Sequence, residues 1–260
     1  MRLGFIGTGT ISAAIVEGLL RGGQPFDSIH LSPRNEQIAG RLAARDARIK
    51  VAGSNQAVLD FSDVVVLAIR PQIAEPVLTE LRFSPHQHVI SLIATAQTTI
   101  IARWVEPAGR VTRAIPLPFV ERCNGMTAIY PPDPIARDLF EATGSTIEAE
   151  SEAELDLFLA ASAMMGPYFQ LLSGCNDWLT RNGLSDTRAR IYLNALFASL
   201  SDTAAAKSEI SFADLQAEFS TPGGLNEQLA RQLNDDGTIE ALSSALDAVH
   251  ARISKARSSR

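Results

Sequence analysis

The chain has 260 residues, 46% of them hydrophobic and 20% charged, and a formal net charge of −6. That length holds one large domain or two ordinary ones, and the composition is that of a soluble globular protein. The acidic balance gives no concentrated basic face for nucleic acid, and two cysteines (Cys123 and Cys175) without CxxC spacing argue against a disulfide framework or a zinc site.

Strands are expected, in chain order, over Arg2–Ile6, Ser28–Leu31, Ile49–Ala52, Val64–Ile69, His88–Ile93, Arg110–Ile115 and Met126–Tyr130. Helical patterns fall between the earlier ones, over Ile11–Arg21, Glu36–Arg45, Ser54–Asp60 and Pro71–Leu81. Strands separated by helices of that length read as βαβ units, hence a parallel-rich sheet wrapped on both faces. From about Ser151 the β-rich runs stop and apolar residues recur at helical spacing, as in Leu155, Phe158 and Leu159. Pro222-Gly223-Gly224 and Asp236-Gly237 interrupt this half before a last amphipathic stretch, Thr238–Ile253. The expected organisation is a dinucleotide-binding α/β domain over 1–150 and an all-α domain over 151–260. The Ala- and Leu-rich faces of the second exceed what a small domain covers alone, which favours a homodimer or an oligomer of dimers.

The chain opens on strand-like Leu3-Gly4-Phe5-Ile6 with no room for a signal peptide, and no apolar run approaches about 18 residues. A cytoplasmic protein without a membrane partner is expected. The basic residues at the end (Arg252, Lys255, Arg257 and Arg260) read as a solvated helix terminus.

Gly7-x-Gly9-x-x-Ser12 follows a strand and opens a helix, the context that distinguishes a dinucleotide turn from a chance match. Gly7 permits the tight turn, Gly9 lets backbone approach a pyrophosphate, and Ser12 is small enough for close helix–strand packing. The N–H groups at the helix start then face the phosphates. NAD-selective sites place a carboxylate roughly 20 residues further on. Here that region reads Leu31-Ser32-Pro33-Arg34-Asn35, with no carboxylate before Glu36. Ser32, Arg34 and Asn35 suit a 2′-phosphate, so NADP(H) is preferred with NAD(H) possible; the alternative leaves Arg34 a solvent-facing helix-start residue.

Ala68-Ile69-Arg70-Pro71-Gln72, Arg113-Ala114-Ile115-Pro116, Gly125-Met126-Thr127-Ala128 and Ser220-Thr221-Pro222-Gly223-Gly224 occur in order. Together with the glycine turn they resemble the V-K-P-Q, R-x-M-P, G-x-T and S-P-G-G segments of the pyrroline-5-carboxylate reductases. The resemblance runs end to end. It implies an N-terminal Rossmann domain, an all-α C-terminal dimerisation domain, and NAD(P)H-dependent reduction of a cyclic imine, pyrroline-5-carboxylate to proline, in proline biosynthesis. The cofactor contacts expected on this basis are Gly7, Thr8, Gly9, Thr10, Ile11, Ser32, Arg34, Asn55, Ala68, Ile69, Arg70, Pro71 and Ala94. Thr221, Pro222, Gly223, Gly224 and Asn226 are expected at the substrate, with Asn226 as the catalytic side chain and no metal. The Pro222–Gly224 turn before a helix is a plain cradle for a carboxylate, or else only a cap.

Three departures fall near the expected chemistry. Leu225-Asn226 stands where the family has T-T, Leu117 replaces a polar residue after the R-x-M-P proline, and Ser162-Ala163-Met164-Met165-Gly166-Pro167 is bulkier than the family's S-G-S-G-P-A. They leave open a different cyclic imine carboxylate, or a nucleotide-binding dimer without turnover. A β-hydroxyacid-dehydrogenase-like reading lacks its lysine, because the helical half has only Lys207 and Lys255. His86 and His88 are expected in a solvated turn, Tyr168 in the core rather than at the active site, and Trp104 and Trp178 as packing residues.

Overall fold

The computed structural model describes residues 1–258; Arg260, the last of the terminal basic residues, lies outside them. The chain forms two compact units, Met1–Ala160 with the segment from His250 onward, and Ala161–Val249.

The first unit is built on eight strands: β1 (Arg2–Ile6), β2 (Ser28–Leu31), β3 (Ile49–Val51), β4 (Val64–Leu67), β5 (His88–Ser91), β6 (Arg110–Pro116), β7 (Gly125–Tyr130) and β8 (Gly144–Glu148). They lie in one sheet in the order β3-β2-β1-β4-β5-β6-β7-β8. Every neighbouring pair is parallel except β6–β7. Helices α1 (Thr10–Gly22), α2 (Glu36–Ala43), α3 (Asn55–Asp60), α4 (Pro71–Thr79), α5 (Thr98–Trp104) and α6 (Pro134–Glu141) connect them, with a short 3-10 turn at Pro118–Arg122 and α7 (Glu152–Ser162) after β8.

The parallel-rich α/β architecture matches the expectation, and the strand sequences explain why. Leu3, Phe5, Val64 and Val66 enter one apolar layer with Ile15 and Leu19 of α1, while Ile6, Val65 and Leu67 enter the opposite one with Leu78 and Ile101. A strand apolar at every position has to be covered on both faces. β8, α5 and α6 escaped the sequence reading. Gly144-Ser145-Thr146-Ile147-Glu148 is a polar edge strand with little burial, and helices of 7 and 8 residues are too short for a clear period.

The second unit is helical: α8 (Met165–Arg181), α9 (Asp186–Ala206), α10 (Phe212–Phe219), α11 (Leu225–Asp235) and the start of α12 (Thr238–Ser258). Neither α8 nor α11 has a buried side chain. Phe212 and Leu225 are 81% and 83% exposed. Trp104 packs as expected, but Trp178 does not, since it is 57% exposed. Tyr168 is likewise not a core residue: its ring meets Phe169 and Phe197 edge-on while remaining exposed. These helices keep apolar faces that one copy of the unit leaves uncovered.

By mean hydropathy, as opposed to an unbroken run, Glu152–Arg181 reaches the threshold of a membrane span, at 1.3 over 18 residues. Helices α7 and α8 divide that stretch at Ala163-Met164.

His88 corrects a further expectation. It opens β5 and is 5% exposed, with Nε2 3.2 Å from Asp133 Oδ1, and only His86 lies in the exposed turn, against the Ser84 hydroxyl. Asp133 also caps α6 by accepting the Ala136 N–H, and Arg110 reaches its other oxygen at 3.8 Å. Burial pushes the His88 imidazole below its ordinary value, with Asp133 pulling it up and Arg110 pushing it down. The unfolded chain therefore takes up a proton that the folded protein refuses, and stability declines as pH falls below about 6.5. The melting temperature is expected to fall between about pH 7 and pH 5.5, and less steeply in His88→Gln. An equally steep fall in the variant would assign the loss to other groups.

Candidate functional site

The turn from β1 to α1 is held from two sides. Gly7 has φ +97°, and a Cβ there would overlap the carbonyl oxygen of Ala68 at the end of β4. Its N–H donates to Ser32 Oγ at 2.9 Å, and the Thr8 hydroxyl donates to the Ser32 carbonyl at 2.9 Å. Ser12 Oγ donates back to the Gly7 carbonyl at 2.6 Å. Gly9 is the N-cap of α1 and supplies no side-chain cap, and the space beyond its Cα is open. The first-turn N–H groups of α1 thus lack intrahelical acceptors, and the open approach at Gly9 leaves room for a pyrophosphate beside them.

This turn forms one end of a cavity of about 430 Å³ at the carboxyl edge of β1, β2 and β4. The order of the sheet reverses between β1 and β4, and a doubly wound fold opens its ligand crevice at that point. Nine of the expected cofactor residues line the cavity: Gly7, Thr8, Gly9, Ser32, Arg34, Asn55, Ala68, Ile69 and Arg70. Asn35 joins them, as do Ile73 and Val77, which the sequence reading missed although their i, i+4 spacing on α4 marks one helix face. Ile11, Pro71 and Ala94 do not line it, and Thr10 faces a separate groove between α1 and α2 with Glu17 and Arg41.

Ser32 lines the cavity, yet it is 1% exposed and its hydroxyl is engaged with Gly7 and Thr8. Its clearest role is to hold the turn. Asn35 Oδ1 caps α2 through the Ile38 N–H, leaving its amide hydrogens. Arg34 and Arg70 are exposed at the cavity wall, and among the described residues no carboxylate lines it.

Towards β6 a second polar group is fully buried. Arg113, 2% exposed, donates through Nη1 to Glu152 Oε1 at 3.1 Å and Asp156 Oδ1 at 3.5 Å, and through Nη2 to the Ala94 carbonyl at 2.8 Å. Glu152 Oε1 also accepts the Thr98 N–H and hydroxyl, at 2.7 and 2.9 Å. Burial pushes the Glu152 carboxyl up, but Thr98 and Arg113 outweigh it and hold it below the usual range. Among the described residues no group of His, Cys, Asp or Glu could hold a metal ion.

In the helical unit, Thr221, Pro222, Gly223 and Gly224 form the turn before α11. Gly223 has φ +74°, and the Gly224 N–H donates to the Thr221 carbonyl at 2.8 Å. The Gly223 N–H donates to Glu227 Oε2 at 2.7 Å, so a carboxylate of the chain occupies one of the expected anion donors. Asn226 Nδ2 donates to the Phe219 carbonyl at 2.8 Å, bracing the turn. No sequence signal had singled out Glu227.

Comparison with known proteins agrees with the motif order. Residues 2–95 match the family model described as NADP oxidoreductase, coenzyme F420-dependent. A pyrroline-5-carboxylate reductase of Pseudomonas aeruginosa is 27% identical over 263 residues, covering 96% of this chain and 95% of the relative. The solved 1-pyrroline-5-carboxylate reductase of Streptococcus pyogenes superposes with a TM-score of 0.84 at 28% identity, covering 99% and 98% of the two chains. The fold is also that of the Plasmodium falciparum pyrroline carboxylate reductase solved with NADP bound, at TM-score 0.83 and 18% identity over 98% of each chain. Along nearly its whole length the chain is similar to pyrroline-5-carboxylate reductases.

The two turn glycines should respond differently to a methyl group. Gly7→Ala meets both a forbidden φ and the Ala68 carbonyl, and is expected to lose about 1–3 kcal/mol of stability or more. Gly9→Ala meets nothing in the protein, so its melting temperature should hold while NADPH affinity falls about tenfold or more by fluorescence titration. Unchanged NADPH affinity in Gly9→Ala would count against the turn as the pyrophosphate cradle.

Proposed function

We propose that the protein reduces a cyclic imine with NADPH, most directly pyrroline-5-carboxylate to proline. The carrying observation is the similarity along nearly the whole chain to pyrroline-5-carboxylate reductases, with the motifs in order. The cationic cavity supports the choice of cofactor. Arg34 and Arg70 would hold the 2′-phosphate, with Asn35 and Asn55 beside them, while the N–H groups following Gly9 would hold the pyrophosphate. A bound reduced nicotinamide supplies the hydride. The protein is left with a modest task, since a protonated C=N is already electrophilic and needs mainly orientation and exclusion of alternatives. The Pro222–Gly224 turn and the first N–H groups of α11 would hold the substrate carboxylate, with the Asn226 Oδ1 still available as an acceptor. The exposed apolar faces of α8, α9 and α11 support a homodimer in which a second copy covers them, and a cytoplasmic location accords with the reading.

Purified protein should consume NADPH on addition of pyrroline-5-carboxylate, followed by absorbance of the reduced nicotinamide. No consumption at high enzyme, with related cyclic imines also inert, would sink the reading and leave a nucleotide-binding dimer. Sedimentation at micromolar concentration should show a dimer or larger; a monomer would contradict the assembly.

Glu227 favours an altered substrate preference within this class, because a substrate carboxylate has to displace it from the Gly223 N–H. Glu227→Gln should lower KM for pyrroline-5-carboxylate several-fold and leave KM for 1-pyrroline, which lacks the carboxylate, unchanged. Equal shifts for both imines would separate the turn from carboxylate recognition.

A further inference from the structure

Arg113 heads the fully buried side chains by volume, and it carries a charge. A guanidinium is kept from water only where its donors are matched, and here the two terminal nitrogens have different partners. Nη1 faces the carboxylates of Glu152 and Asp156 on α7, and Nη2 faces the Ala94 carbonyl. Joining β6 to α7 requires only the first set. The second reaches a turn.

That turn runs from the end of β5 at Ser91 to the start of α5 at Thr98. Arg113 holds it at Ala94, and Glu152 holds it at Thr98 through both the N–H and the hydroxyl. One buried ion pair therefore fixes both sides of Thr95-Ala96-Gln97. The turn stands at the carboxyl end of β5, beyond β4 from the Arg34 side of the crevice. In a doubly wound sheet the two halves of a dinucleotide lie on opposite sides of the switch point, so the half away from the adenosine falls towards β5.

We propose that Arg113 and Glu152 are positioning residues that clamp the Ala94–Gln97 turn as a wall of the nicotinamide pocket, presenting the ring in a single orientation. The proposal rests on the NADP(H) reading of the cavity. It explains why an arginine is needed on β6: a lysine has one nitrogen and cannot serve the carboxylates and the Ala94 carbonyl in the same fork.

The test compares NADPH with 2′,5′-ADP, which keeps the adenosine and 2′-phosphate and lacks the nicotinamide. Affinities of both are measured for the wild type, Arg113→Lys and Thr98→Val, together with melting temperatures. Arg113→Lys should weaken NADPH about tenfold, leave 2′,5′-ADP within about twofold, and reduce kcat for pyrroline-5-carboxylate by about tenfold or more. Thr98→Val keeps the backbone bond to Glu152 and should shift the same ratio in the same direction by less, which decides the matter if Arg113→Lys does not fold. An unchanged NADPH to 2′,5′-ADP ratio in the folded variants would overturn the clamp and leave a structural ion pair. A wild type that binds NADPH and reduces no imine removes the proposed activity, while the binding ratio still decides the clamp; a wild type that does not bind NADPH overturns both.

Discussion

The close approach of Gly7 to the Ala68 carbonyl is the constraint on which the nucleotide half depends. Strand order reverses between β1 and β4, so the chain leaving β1 has to turn beside the end of β4, where a side chain has no room. Ser32, coming off β2, ties the same turn from the other side through its hydroxyl and carbonyl. With the turn held by both neighbouring strands, α1 begins at a glycine that cannot cap it. The N–H groups of the first turn that follow, which have no intrahelical acceptor, are a consequence of this geometry. An anion there completes hydrogen bonding that the chain by itself leaves incomplete.

Two kinds of arginine occur along the carboxyl edge of the sheet, and burial separates their functions. Arg34 and Arg70 stand exposed at the cavity wall, where a phosphate gains by replacing water around a guanidinium. Arg113 is buried, with Nη1 engaged by Glu152 and Asp156 and Nη2 by the Ala94 carbonyl, so it is poorly placed to receive an incoming anion. Its value lies in rigidity. Removing one partner of such a group strands the others without water, which makes the alternatives to the observed turn conformation costly.

Much of this was legible in the sequence, for reasons tied to particular residues. β1 and β2 were readable to the residue because Leu3, Phe5 and Ile6, and Ile29 with Leu31, sit in short β-rich runs between clear turn signals, and the glycine turn was readable because its spacing encodes a backbone approach. Arg34 stood out through the absence of a carboxylate beside it. β8 was not legible, since a polar edge strand carries no apolar signature. Nor was the double duty of Ser32, because nothing in a sequence says that a hydroxyl is already engaged. Arg113 was visible as a motif residue, but its partners Ala94, Glu152 and Asp156 lie 19 to 43 positions away along the chain and meet it only once the sheet has formed. Trp178 misled for the opposite reason: an aromatic in an amphipathic helix reads as core, yet the face it belongs to is uncovered within one chain.

The turn before α11 shows how a side chain of the protein can compete with an anion for the backbone donors of a helix start. Glu227 is the third residue of that helix, and its carboxylate both accepts the Gly223 N–H and lies at the positive end of the helix dipole. An arriving carboxylate meets donors already in use and a field already partly neutralised. Asn226, whose amide braces Phe219, contributes order to the turn as well as an acceptor towards its surroundings. Any anion at this turn has to displace the Glu227 carboxylate from the Gly223 N–H. The cavity beside Gly7 differs in kind: Arg34 and Arg70 stand exposed at its wall, and among the described residues no carboxylate lines it to compete with an incoming anion.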